Sequence, residues 1–166
     1  MTVRPVVRFP DRRLGAVAAP VSAFDQELHG LAIDLADTMR AAPGIGITAP
    51  HIGILKRLVV IEVSSAATLR TYVNPAILWV SSEMIRHTEG SISMPGVTQE
   101  IERHARVRVA YQDLDGVEQI EEADGLLAVC HQHEIDQLDG IFWIQRLSRL
   151  KRERLITRYE KLARLR

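Results

Sequence analysis

Cys130-His131-Gln132-His133-Glu134-Ile135-Asp136-Gln137-Leu138-Asp139-Gly140 is the stretch on which the reading of this chain turns. It stands one residue away from a metallohydrolase helix of the form His-Glu-x-x-His. In that pattern two histidines four apart share one helical face, both imidazoles reach one metal ion, and the intervening Glu acts as base. Gln137 occupies the place of the second histidine. A glutamine carbonyl is a neutral oxygen donor, whereas an imidazole nitrogen suits Zn²⁺ or Fe²⁺ and is oriented through its other ring nitrogen. The ligand position is weakened, not replaced in kind.

Outward from this stretch, the pattern predicts an α+β architecture with antiparallel β-strands around a central motif helix. Gly125 to Leu138 reads as that helix, ended by the glycine signal of Asp139-Gly140. Arg106 to Tyr111 alternates like a half-buried strand, and Asp113-Leu114-Asp115-Gly116 reads as a hairpin turn into the next one. Leu58 to Val63 is a short β-branched strand. From Ala23 to Met39, Leu28, Leu31, Leu35 and Met39 recur at helical spacing until Pro43-Gly44 breaks the pattern. Paired glycines at Gly44 and Gly46 with Pro50 are, by themselves, ordinary loop chemistry.

Composition narrows the class. With 166 residues, 46% hydrophobic content and no formal net charge, the chain suits one compact domain over 1–166. Cys130 is the one cysteine, which excludes an intramolecular disulfide and points to a reducing cytoplasm; a buried inert thiol is the expected role. The first residues lack an apolar signal core, and no apolar run reaches membrane-spanning length, so no membrane partner is expected. The neutral total hides an asymmetry: nine Lys or Arg residues lie between Arg146 and Arg166 against Glu153 and Glu160. Leu147, Leu150, Leu155, Tyr159 and Leu162 give that segment one apolar face, predicting a C-terminal amphipathic helix. Trp79 and Trp143 are expected in the core, His87 in a loop, and His131 at the surface or behind the site.

Three segments, in order, resemble the signature motifs of the peptide deformylase family. Gly44-Ile45-Gly46-Ile47-Thr48-Ala49-Pro50-His51 is similar to its Gly-x-Gly-x-Ala-Ala-Pro-Gln, Glu89-Gly90-Ser91-Ile92-Ser93 to its Glu-Gly-Cys-Leu-Ser, and Gln132 to Leu138 to its Gln-His-Glu-x-Asp-His-Leu. Arg8-Phe9-Pro10-Asp11, Val73-Asn74-Pro75 and Arg146-Leu147-Ser148 flank them as in the family, so the resemblance runs nearly end to end.

The resemblance implies the deformylase fold and a metal-dependent hydrolase that removes the formyl group from the formyl-methionine of new polypeptides. Its ligands would fall on Ser91, His133 and Gln137, of which only His133 is retained. Its base falls on Glu134, and the glutamine that hydrogen-bonds the developing oxyanion falls on His51. If a metal is bound, the family implies a divalent ion, Fe, Zn or Ni, held weakly; no resident cofactor is the other reading. A serine hydroxyl ionises poorly near neutral pH and cannot stand in for a thiolate ligand. Lacking a bound metal, water keeps a pKa of about 15.7 instead of roughly 7, and Glu134 has little to deprotonate. Deformylase activity is therefore expected to be weak or absent.

Two alternatives keep chemistry: His51 as a ligand in a rebuilt site with His133 and Gln137 or Glu134, and Ser91 as a nucleophile activated by His133 or His51. A third reading drops the chemistry and keeps the cleft, binding peptide N-termini or the ribosome. The resemblance makes Gly44, Gly46, Ile47, Ile92 and Val129 the expected lining of a cleft for a formyl-methionyl or related peptide, with Arg103 near its mouth. It also makes ribosomal RNA a candidate partner for the basic C-terminal helix.

Overall fold

A computed structural model describes residues 2–165 of the chain. Helix α1 (Gln26–Ala41) starts three residues later than the periodicity predicts, because Asp25 accepts the Leu28 amide as N-cap. Strands β1 (Gly46–Thr48), β2 (Leu58–Ile61), β3 (Arg70–Val80), β6 (Arg106–Gln112) and β7 (Glu118–Asp124) form one antiparallel sheet in the order β1-β2-β3-β6-β7. Strands β4 (Met84–Glu89) and β5 (Gln99–His104) pair separately. The expected hairpin turn joins β6 to β7: Asp113 Oδ1 accepts the amides of Asp115 and Val117, and Gly116 takes φ +83°.

Helix α2 (Gly125–Leu138) spans the predicted residues and packs on β1, β3, β5, β6 and β7, so the motif helix is central. Its apolar side buries Cys130 and Leu138 against Val59, Ile61 and Tyr72, and Ala128 and Ile135 against Val107 and Val109. The helix stops at Asp139, and Gly140 is required there twice over. Its φ is +79°, and a Cβ would lie 2.8 Å from the Gly15 carbonyl oxygen. Helix α3 (Arg149–Arg164), capped by Ser148, buries Leu155 and Tyr159 with Phe142, Trp143 and Leu147 and leaves its basic residues outward except the half-buried Arg152.

Two expectations fail, and of the two places expected for His131 the surface is excluded. His87 lies on β4, paired with Ile101, not in a loop. Trp79 is 44% exposed, because the register shifts between Ile77 and Trp79 and turns the ring outward beside Arg106 and Arg108; Trp143 is buried as expected. His131 is buried and bonds Glu121 through Nε2 at 2.8 Å. Among the described residues, no helix is long and apolar enough to cross a membrane.

Candidate functional site

The three sequence motifs meet at one cleft of about 420 Å³, a volume suited to a small ligand or the end of a peptide. One wall is the turn from α1 into β1, with Pro43, Gly44, Ile45 and Gly46; the opposite wall is the end of β4 and the loop after it, from His87 to Ile92 and Pro95 to Thr98. Helix α2 forms the floor with Leu126, Val129, Cys130, His133 and Glu134. The N-terminal segment ties the walls together, since the Val7 amide donates to the His51 carbonyl and the Phe9 amide to the Ser93 carbonyl, at 2.7 and 2.8 Å. Close approach explains both loop glycines. A Cβ on Gly44 would meet Ile92 at 2.9 Å, and one on Gly46 would meet the Glu134 carboxylate at 3.2 Å.

The structure brings His51, Ser91, His133, Glu134, Gly44, Gly46, Ile92 and Val129 to this cleft as expected, and leaves three other candidates out. Ile47 is fully buried against α1, because side chains alternate along a strand; Ile45 takes the lining place instead. Arg103 is buried, not at the mouth. Its Nε and Nη2 bond Glu89 at 2.8 and 2.9 Å and its Nη1 bonds Asp136 at 2.7 Å, which engages all three guanidinium nitrogens. Gln137, one turn after His133 on the same face of α2, does not line the cleft; its amide donates to the Leu14 carbonyl at 2.8 Å.

Glu89 is the residue that sequence reasoning left without a role. It stands at the head of the second motif, which was the available signal. Its Oε1 also accepts His133 Nδ1 at 2.8 Å, so one carboxylate orients the histidine while the arginine anchors it. Burial opposes its charge, but Arg103 and His133 outweigh that and hold the carboxyl down at about 2. Burial likewise opposes charge on His133, yet the bond to Glu89 and the carboxylates of Glu134 and Glu89 raise its pKa above the ordinary value. Gln132 clamps β5 to the helix floor by exchanging two bonds with the His104 backbone, each 2.9 Å.

Glu134 is the opposite case. Desolvation pushes its carboxyl up to about 7, with Glu89 adding to the rise and His133 and Arg103 opposing it. Its Oε2 has no hydrogen-bond partner; the nearest ring nitrogens are His133 Nε2, 3.7 Å from Oε1, and His51 Nδ1, 4.0 Å from Oε2. His51 cannot help, because its Nδ1 already accepts the Thr48 amide at 2.9 Å. Burial and the neighbouring His133 hold its pKa down at about 3, so the ring is neutral with its proton on Nε2. Ser91 Oγ accepts the Ser93 amide at 3.1 Å and bonds neither histidine, so no nucleophile and base pair is assembled. Burial, then Glu134 and Glu89, pushes the Cys130 thiol up to about 12, as expected of an inert thiol.

The match to polypeptide deformylases covers residues 3–153. The chain belongs to the polypeptide deformylase family. A protein called "Peptide deformylase-like" from Brucella melitensis is 71% identical over 99% of this chain and 100% of its own length. Rhizobium meliloti has both a "Peptide deformylase-like" protein, 62% identical over 99% of this chain and 95% of its own, and a "Peptide deformylase", 41% identical over 100% and 97%. The crystal structure of a peptide deformylase from Legionella pneumophila superposes with a TM-score of 0.93 at 36% identity, covering 99% of this chain and 97% of the other. The α+β deformylase fold, with its motif helix and C-terminal helix, is thereby established for this chain.

Deformylases act on formyl-methionyl peptides with a divalent metal, and the residues here do not fit that ion. Only His133 is prepared as a ligand, its Nδ1 held by a carboxylate so that Nε2 faces the cleft. Ser91 caps a backbone turn, Gln137 is committed to Leu14, and the Nδ1 of His51 is committed to Thr48. Among the described residues, no three His, Cys, Asp or Glu side chains are disposed to hold a metal ion.

Proposed function

We propose that this protein is a deformylase-fold binder of peptide N-termini that does not carry out ordinary deformylation. The observation that carries the reading is the commitment of the Gln137 side chain to the Leu14 carbonyl, which ties up the residue at that ligand position in a backbone hydrogen bond. The cleft itself is intact. Strand β1 is an edge of its sheet, so an extended peptide can add alongside it, and Ile45, Ile92, Val97, Leu126 and Val129 offer an apolar wall for a methionine-like first side chain. The Nε2 proton of His51 supplies a donor for a ligand carbonyl. Coexistence of a deformylase-like protein and a deformylase in Rhizobium meliloti suits a division of labour in which one of the two has kept binding alone. The outward Arg149, Lys151, Arg154, Arg158, Lys161 and Arg164 of α3 support ribosomal RNA as the surface on which such N-termini are met.

The test is metal content by elemental analysis on protein purified without chelators, together with hydrolysis of formyl-Met-Ala-Ser and a Glu134→Ala control. We expect strongly sub-stoichiometric metal and no Glu134-dependent turnover. Near-stoichiometric metal with Glu134-dependent hydrolysis would overturn the reading. The double substitution Ser91→Cys with Gln137→His is expected to raise metal occupancy, since it restores one thiolate and one imidazole beside His133.

A further inference from the structure

Three buried carboxylates sit on or against α2, two of them lining the cleft, and they are not treated alike. Glu89 receives Nε and Nη2 of Arg103. Asp136 receives Nη1 of Arg103 and, in a two-point contact at 2.9 and 2.7 Å, Nε and Nη2 of Arg146. Glu134 receives no guanidinium. It is buried, it lines the cleft, and its Oε2 is without any donor. A buried acceptor left bare costs about 1–3 kcal/mol, more when charged, so a fold that pairs its two neighbours so fully has left this one for a ligand.

The surroundings say what that ligand brings. The Nδ1 of His51 is itself an acceptor, and its outward proton calls for a carbonyl. Beside these polar groups lie Ile45, Ile92, Leu126 and Val129. The ligand head must therefore donate to a carboxylate and accept from an imidazole, with an apolar side chain between cleft walls. The donor set here fits no divalent metal ion; the nearest group able to carry positive charge is His133, 3.7 Å from Oε1, which leaves Oε2 to a cation brought by the ligand.

Building on the proposed function, we infer that the cleft selects the free α-ammonium of a peptide beginning with an apolar residue, the unformylated N-terminus, over its formylated counterpart. The ammonium offers three N–H donors and a positive charge that favours the ionised form of Glu134, whose χ3 is a broad torsion that can turn either oxygen to the cleft. The first peptide carbonyl then accepts from His51 Nε2. Formylation deletes the charge and leaves one N–H, so Glu134 stays largely unpaired.

The experiment is isothermal titration of the full chain at pH 7.0 with Met-Ala-Ser and with formyl-Met-Ala-Ser, the recovered formyl peptide being checked by mass spectrometry. We expect Met-Ala-Ser to bind at least about tenfold more tightly, and Glu134→Gln to reduce that preference to within about twofold. Equal or tighter binding of the intact formyl peptide overturns this inference and leaves the binding reading standing. If neither peptide binds at millimolar concentration, both fail, and hydrolysis of the formyl peptide overturns the non-catalytic reading. Should Glu134→Gln not fold, the two peptides on the unmodified chain still decide the preference.

Discussion

The two sides of α2 carry similar residues to different ends. Outside the cleft lining, His131, Gln132, Asp136 and, on the cleft-side face itself, Gln137 are buried and bonded to Glu121, the His104 backbone, two arginines and the Leu14 carbonyl. On the cleft side, Glu134 is equally buried and its Oε2 is bonded to nothing. Burial alone therefore does not mark a functional residue; what separates the sides is whether buried polar groups find protein partners. Gln137 shows how a position crosses from one class to the other, since its amide now works as a tie between α2 and the N-terminal region.

The contrast breaks most severely if Arg103 is removed. Arg103→Met leaves Glu89 and Asp136 facing each other in the interior with only His133 and Arg146 as partners, and should cost about 3–5 kcal/mol, read as a lower denaturant midpoint at unchanged slope. A loss under 1 kcal/mol would mean the buried network is not the anchor described here.

Glu134 gives the next effect, through pH. Its carboxyl rises from 4.5 to about 7 on folding, so the folded chain keeps a proton that the unfolded chain releases, and stability falls as pH rises from 4.5 through 7. Glu134→Gln removes that slope, and its advantage over the unmodified chain should grow by roughly 2–3 kcal/mol between pH 4.5 and pH 8. Glu89 titrates with the opposite sign: held at about 2 in the fold, its contribution is complete above pH 4.5 and is lost as pH falls towards 2. Denaturation profiles across pH separate the two, and a flat difference for Glu134→Gln would place the carboxyl in a solvated site.

Gln137→Ala strips the donor from the Leu14 carbonyl and should cost about 1–3 kcal/mol in thermal or chemical denaturation. A neutral result would return Gln137 to the cleft and reopen a ligand role. The smallest effect belongs to the exposed Trp79, which rests on the outer face of the sheet against two arginines: Trp79→Ala should change stability by no more than about 1 kcal/mol and leave peptide affinity untouched.

Periodicity made α2 readable from Gly125 to Leu138, and turn chemistry made the Asp113–Gly116 hairpin readable, because both signals are local. The boundary of α1 moved because one cap hydrogen bond overrode three residues of helical pattern. Strand β4 escaped notice: its burial alternates, but Arg86, His87 and Thr88 look like loop residues until β5 is beside them. At the site, motif spacing brought Ser91, His133, Glu134 and His51 together correctly, whereas Ile47 and Arg103 were misplaced. Strand alternation settles the first, and a partner 14 residues away, with another on α2, settles the second.

The sequence by itself determined the family, the chain order of the three motifs and the presence of a hydroxyl at Ser91 and an amide at Gln137, because residue identity fixes what a side chain can donate. Only the tertiary structure decided where the substituted side chains turned. Gln137 is bonded to a carbonyl 123 residues before it, Ser91 caps its own turn, and Glu134 is left bare, each outcome depending on which atoms the fold brings within about 3 Å. Hydrogen bonds of that range are set by packing between distant segments, which no local pattern of residues records.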